Sequence, residues 1–120
     1  NLGTAPIEDA INLHENVVES ALVGYPHEIK GNALYAFVIL KNDKNIDGIT
    51  VEINQLISKT IGPIAKPEKI QIVDGLPKTR SGKIMRRILR KIAAGETDNF
   101  GDISTLLNPE IVKQIVNEKN

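Results

Sequence analysis

The chain has 120 residues, is 41% hydrophobic and 25% charged, and balances fifteen basic residues against fifteen acidic ones for a formal net charge of zero. That length accommodates one domain with a core of its own, and the charge balance argues against a nonspecific polyanion binder. Cys and Trp are absent and aromatics make up 3%, so a disulfide framework and a thiolate metal site are excluded and base stacking is disfavoured as a main activity. No run approaches the roughly 18 apolar residues of a membrane span. Because the chain starts at Asn1 rather than Met, it reads as an excerpt of a longer polypeptide, and missing targeting signals carry no weight.

In chain order, Thr4 is a plausible helix cap, with Pro6 in the first turn and Glu8 and Asp9 near the positive helix end. Ile7, Ala10, Ile11 and His14 continue a helical stripe. His14 is read as a helix-end histidine near water, since no ligand partner stands at metal spacing. Val17 to Tyr25 predicts a strand ended by Pro26, and Pro26 to Gly31 a solvated turn. His27 beside Glu28 is not read as an acid–base pair, because adjacent loop side chains seldom converge and no nucleophile is near. Ala33 to Leu40 is almost continuously apolar, which predicts a central strand covered on both faces. A polar stretch from Lys41 to Gly48 follows and is expected to be flexible and variable in length.

Thr50 opens a second helix with Ile53, Leu56, Ile57 and Ile61 on one face, stopped by Gly62-Pro63. Lys69 to Val73 is a short strand. A third helix is predicted from about Lys83 to Ala94, capped by Ser81 and ended at Gly95. At about 100° per residue, Ile84, Ile88, Leu89 and Ile92 form an apolar stripe, with Arg86, Arg87, Arg90 and Lys91 facing outward. Glu96 to Asn99 is surface connection, and Asn108-Pro109 starts a terminal helix carrying Ile111, Val112, Ile115 and Val116. The order α-β-β-α-β-α-α predicts an α+β domain: a small sheet of about three strands with helices packed on its faces.

The residues that carry chemistry lie in the turn before the third helix. Lys78, Arg80, Lys83, Arg86, Arg87, Arg90 and Lys91 are seven of the fifteen basic residues, and no acid lies between Gly75 and Gly95. Three cations in one tight turn repel each other, so a solvated charged face explains Arg90 and Lys91 better than it explains Lys78, Arg80 and Lys83. An anion is the expected partner. A P-loop fails, because Pro77 and Ile84 stand where that motif needs Gly and Ser or Thr. A nucleic-acid or phosphate module using the basic helix remains a rival, which strongly salt-dependent binding to a generic duplex would favour.

The run Pro77-Lys78-Thr79-Arg80-Ser81-Gly82-Lys83 resembles the last core motif of the adenylate-forming enzymes, the superfamily of acyl-CoA synthetases and luciferases. Its continuation, Ile84 to Gly95, and the segment Gly101-Asp102-Ile103-Ser104-Thr105-Leu106 narrow the resemblance to AMP-forming acetyl-CoA synthetases, from about Leu2 to Glu118. The resemblance implies that residues 1–120 are a C-terminal lid domain whose small-sheet architecture agrees with the pattern above. It implies that Lys83 is the catalytic lysine of acetyl-adenylate formation and the site of reversible acetylation by a protein acetyltransferase and deacetylase. ATP/AMP, coenzyme A, acetate and Mg2+ would be bound mainly through a large N-terminal adenylation domain of the same polypeptide, absent here, and the enzyme would be cytoplasmic, with no nucleic-acid or membrane partner.

The family's lid swings between an adenylation and a thioester-forming orientation, and the Gly24 to Gly31 segment resembles a connection beside the coenzyme A path. Arg80 and Lys59 are the candidate cofactor-binding residues. Lys59 is included because Ser58 stands where relatives often carry an arginine near the 3′-phosphate of coenzyme A, and Asn1 stands where they carry an arginine that helps read the nucleotide. A propionyl- or other acyl-CoA synthetase is the nearer alternative. The isolated chain is expected to fold but to lack ligase activity.

Overall fold

The computed structural model describes residues 3–29, 31–41 and 48–119. The elements follow the predicted order: α1 (Thr4–Asn12), β1 (Val17–His27), β2 (Gly31–Leu40), α2 (Ile49–Thr60), β3 (Lys69–Ile72), α3 (Arg86–Ala93) and α4 (Glu110–Asn117), with a 3₁₀ turn, Pro63–Ala65, after α2. The polar segment 42–47, expected to be flexible, lies outside the described residues. The fold is α+β, with a three-stranded mixed sheet ordered β1-β2-β3.

The apolar run of β2 takes the centre, as its composition demands. β1 pairs with it antiparallel from Val17↔Leu40 to His27↔Gly31. β3 pairs with it in parallel, from Tyr35↔Lys69 to Val38↔Ile72. A parallel neighbour needs a crossover, and α2 supplies it. The two-residue period of the strands then builds two cores. Tyr35 and Phe37 of β2, with Ala21 and Val23 of β1, pack under Ile88, Leu89 and Ile92 of α3 and Ile111, Val112 and Ile115 of α4. Ala36, Val38 and Leu40 face the other way, against Ile7 and Ile11 of α1 and Ile49, Ile53 and Ile57 of α2.

One polar thread crosses the first core. The Tyr35 hydroxyl donates to Gln71 Oε1 at 2.6 Å, and Gln71 Nε2 donates to the Ile115 carbonyl at 3.1 Å, tying α4 to the sheet. Burial, reinforced by the neighbouring Tyr25, pushes the Tyr35 hydroxyl up to about 12. Among the described residues no helix is long and apolar enough to cross a membrane.

Several local expectations change. β1 runs on through Pro26 and His27; a proline is tolerated there because β1 is an edge strand with no ladder on its outer side. His27 Nδ1 accepts the Ile29 N–H at 3.2 Å, so the ring helps shape the hairpin turn. Thr4 is the first helical residue and not the cap, which is Gly3. His14 is not a solvated histidine: its side chain is 9% exposed and its Nε2 lies 2.8 Å from Glu52 Oε1 of α2, while Nδ1 accepts the Asn16 N–H. That pairing assigns the ring proton to Nε2. α3 begins at Arg86 rather than Lys83, and no side chain caps it, so Ser81 is not a helix cap. Asn108 does not cap α4 either; Pro109 holds that place.

Candidate functional site

α3 starts late because the residues before it make a small hairpin instead of a first turn. Lys78 and Ile84 form an antiparallel bridge. Thr79 N–H donates to the Lys83 carbonyl at 2.9 Å and Met85 N–H to the Pro77 carbonyl at 2.8 Å. At the tip, Gly82 N–H donates to the Thr79 carbonyl at 2.9 Å, and Gly82 adopts φ +88, a left-handed value that L side chains rarely take. The Thr79 hydroxyl accepts the Lys83 N–H at 3.1 Å and lies 2.9 Å from the Ser81 hydroxyl. Ser81 therefore closes the tip rather than the helix.

The hairpin is also braced from outside. Thr79 bridges Leu106, Leu107 N–H donates to the Lys78 carbonyl at 2.9 Å, and Asn108 bonds to the backbone of both Leu76 and Lys78. Leu76 and Leu106 sink their side chains into the first core. Behind the turn, α3 packs on that core through Ile88, Leu89 and Ile92, which are fully buried, with Ile84 partly buried against them. An Ile92→Ala cavity there would cost about 2–5 kcal/mol.

The cations divide sharply. Lys78 Nζ sits 2.8 Å from Glu19 Oε1. Arg86 turns inward, contrary to the outward face expected for it, and clasps Glu8 of α1 with both terminal nitrogens, one of them at 3.0 Å. It also donates to the Leu22 carbonyl at 3.3 Å. Arg87 donates to the Phe100 carbonyl at 2.9 Å and Lys91 to the Asn99 carbonyl at 2.8 Å. The side chains of Arg80, Lys83 and Arg90 are exposed, with no hydrogen bond or ion pair among the described residues. Lys83, Arg86, Arg87 and Arg90 line a shallow groove of about 530 Å³ with Glu19 and Gly82. Such an open, positively lined surface can offer charge to an anion but cannot enclose a nucleotide. Among the described residues no group of three or more Asp, Glu or His could hold a metal ion.

Of the sequence-predicted site residues, Lys83 and Arg80 share the hairpin. Lys59 does not join them: it lies in the last turn of α2, whose core is the one on the opposite face of the sheet from α3. It borders a separate groove with His14, Glu15 and Glu52. Three residues that shape the site were not singled out for it: Thr79, Asn108 and Glu8. A hydroxyl two residues from another in a turn is a local signal for Thr79; the other two act over long sequence distances.

The family model for the AMP-binding enzyme C-terminal domain matches residues 6–83, ending on the lysine at the hairpin. The chain belongs to that family. This C-terminal domain is 54% identical over 119 residues to the acetyl-coenzyme A synthetase of Syntrophobacter fumaroxidans and 52% identical to that of Alkalilimnicola ehrlichii, in each case over 98% of the chain. It spans only 18% of the length of those curated relatives. Among solved structures it is similar to a Brucella canis acyl-CoA synthetase, with a TM-score of 0.70 and 36% identity over 75% of this chain and 17% of that one. The acetoacetyl-CoA synthetase of Streptomyces lividans, 19% identical, shares the fold over 99% of the chain and 18% of its own length, with a TM-score of 0.77.

Proposed function

We propose that residues 1–120 form the C-terminal lid domain of an AMP-forming acetate–CoA ligase and that Lys83 is its catalytic lysine. The observation that carries this reading is the ammonium of Lys83, unpartnered among the described residues, on a hairpin whose backbone is bonded on both sides. In the first half-reaction a carboxylate oxygen of acetate attacks the α-phosphorus of ATP, and pyrophosphate leaves with the bonding electrons. Two anions approach one another, so a fixed cation between them lowers the barrier most where charge is in transit. An ammonium is compact enough to enter that gap, and its four-carbon stem reaches beyond the hairpin. Arg80, beside it and also unpartnered, would supply further field toward the phosphates. In the second half-reaction the coenzyme A thiolate attacks the acetyl carbonyl and AMP leaves.

The nucleotide and acid pockets, and the site for Mg2+, belong in this proposal to an N-terminal adenylation domain of the same polypeptide. The lid would swing between an orientation that inserts Lys83 and one that presents another face for thioester formation. The separation of Lys59 and Lys83 onto opposite faces of the sheet suits such a two-position device, with Lys59 near a phosphate of coenzyme A. The choice of acetate over other acids rests on the names of the relatives. We further infer a cytoplasmic enzyme, switched off by an acetyltransferase and restored by a deacetylase through Lys83, whose charge acetylation removes.

The test uses the full-length enzyme with Lys83→Ala. Acetate-dependent ATP–pyrophosphate exchange should fall, while thioester formation from preformed acetyl-adenylate and coenzyme A is retained. Exchange at the wild-type rate would refute the assignment. Measurable turnover of acetate, ATP and coenzyme A by the isolated 120-residue chain would refute the division of labour between domains.

A further inference from the structure

We propose that Asn108 is a positioning residue for Lys83, acting through the backbone of Lys78, thirty residues before it in sequence. The inference rests on the adenylation role given to Lys83 above. Asn-Pro before a helix is ordinarily read as a cap, but α4 receives no side-chain cap bond. The Asn108 carboxamide points elsewhere: Oδ1 accepts the Lys78 N–H at 3.3 Å, and Nδ2 donates to the Leu76 carbonyl at 2.9 Å. An amide carries the donor and the acceptor needed to hold both ends of that step of chain at once. A carboxylate would lose the donation, and alanine would lose both.

Leu107 N–H to the Lys78 carbonyl and the Thr79–Leu106 bridge extend the same seam. Residues 76–79 are thus the middle strand of a three-stranded miniature ladder. On one side lies the returning arm that carries Lys83; on the other lies the tail segment 106–108. The arm that bears the ammonium can be no better fixed than the strand it is bonded to, and that strand's far side is held by Asn108. The tail lies beyond residue 83, where the matched family stretch ends.

A catalytic cation displaced by about an ångström can cost as much as a hundredfold in rate. In the full-length synthetase, Asn108→Ala is therefore expected to lower kcat for ATP–pyrophosphate exchange about tenfold to a hundredfold, with KM for ATP and acetate unchanged. Thioester formation from preformed acetyl-adenylate should stay within about twofold, since that step does not use Lys83. Asn108→Asp, which keeps the acceptor for Lys78 N–H and loses the donor to Leu76, should fall between wild type and alanine. It carries the same readout should the alanine variant fail to fold. Equal losses in both half-reactions together with a lowered melting temperature would mean a merely structural residue and overturn the proposal. So would unchanged exchange in Asn108→Ala while Lys83→Ala abolishes it, which leaves the adenylation reading standing. If Lys83→Ala itself leaves exchange intact, both fall together.

Discussion

The root and the tip of the lysine hairpin carry the same kinds of side chain and treat them in opposite ways. At the root, Lys78 is matched by Glu19 and Arg86 by Glu8, and along α3 the carbonyls of Phe100 and Asn99 take up Arg87 and Lys91. At the tip, Arg80 and Lys83 stand without a counter-charge among the described residues. The lesson is that cation density does not identify a working cation. A guanidinium already clasped by a buried carboxylate is part of the framework and is not free for a ligand. An ammonium left unmatched on a rigid support carries an uncompensated field that an incoming anion relieves.

The sharpest way to break this comparison is to truncate Lys83 and Lys78 in turn. Lys83→Ala should cost about 10²–10³ in the adenylation rate, equivalent to about 2.7–4 kcal/mol of barrier, and leave the melting temperature unmoved. Lys78→Ala, with its half-exposed partner, should cost no more than about 1 kcal/mol of stability and little rate. Loss of rate from Lys78→Ala matching that of Lys83→Ala would erase the distinction between root and tip.

Next in size is the framework side. Glu8→Ala leaves the Leu22 N–H without its acceptor and the Arg86 guanidinium without its carboxylate, at a cost of about 1–3 kcal/mol, read as a lower denaturation midpoint. An unchanged midpoint would mean that the clasp holds nothing.

The core behind the hairpin has a pH signature of its own. The Tyr35 hydroxyl ionises only near 12 in the fold, against about 10 in an unfolded chain. Folding therefore favours the protonated phenol. The stability tied to it is complete below pH 10 and drains away as pH climbs from 10 through 12. Tyr35→Phe should flatten that part of the alkaline melting profile; an identical profile in the variant would show that Tyr35 is not its source.

The smallest expected effect separates two nearly equal side chains at the tip. Thr79→Val removes the hydroxyl that accepts the Lys83 N–H, and a hydrogen bond worth about 0.5–1.5 kcal/mol predicts a loss of about two- to tenfold in adenylation. Thr79→Ser keeps the oxygen and should be close to wild type. Equal rates for the two variants would show that the hydroxyl is incidental.

Much of the architecture was legible in the sequence because it depends on local periodicity. The apolar run of β2 announced a central strand, and the stripes of Ile7/Ile11, Ile53/Ile57 and Ile88/Ile92 announced helices with one buried face. The cluster of cations in one turn pointed to the candidate site. Ser81 reads as capping the helix after it but closes a turn with Thr79, two residues back. Glu8 reads as serving its own helix dipole and Asn108 its own helix start, since a sequence displays only neighbours. Their partners are 14 and 78 residues away for Glu8, and 30 and 32 for Asn108. Ile84 fits the helical stripe of α3 by angle, yet the bridge to Lys78 claims its backbone first. Arg86 looked outward on a helical wheel, which cannot show that α1 offers a carboxylate from across the sheet edge.

The Glu8–Arg86 clasp also has a bearing on how this chain behaves among its own copies. At Leu22, on the rim of the sheet, Glu8 occupies the outward-facing amide and Arg86 the outward-facing carbonyl, so a neighbouring backbone finds no seat there. Strand rims left bare recruit other strands. A version shorn of its first helix would therefore be expected not simply to loosen but to stack, molecule upon molecule, along the rim that two charged side chains now keep closed.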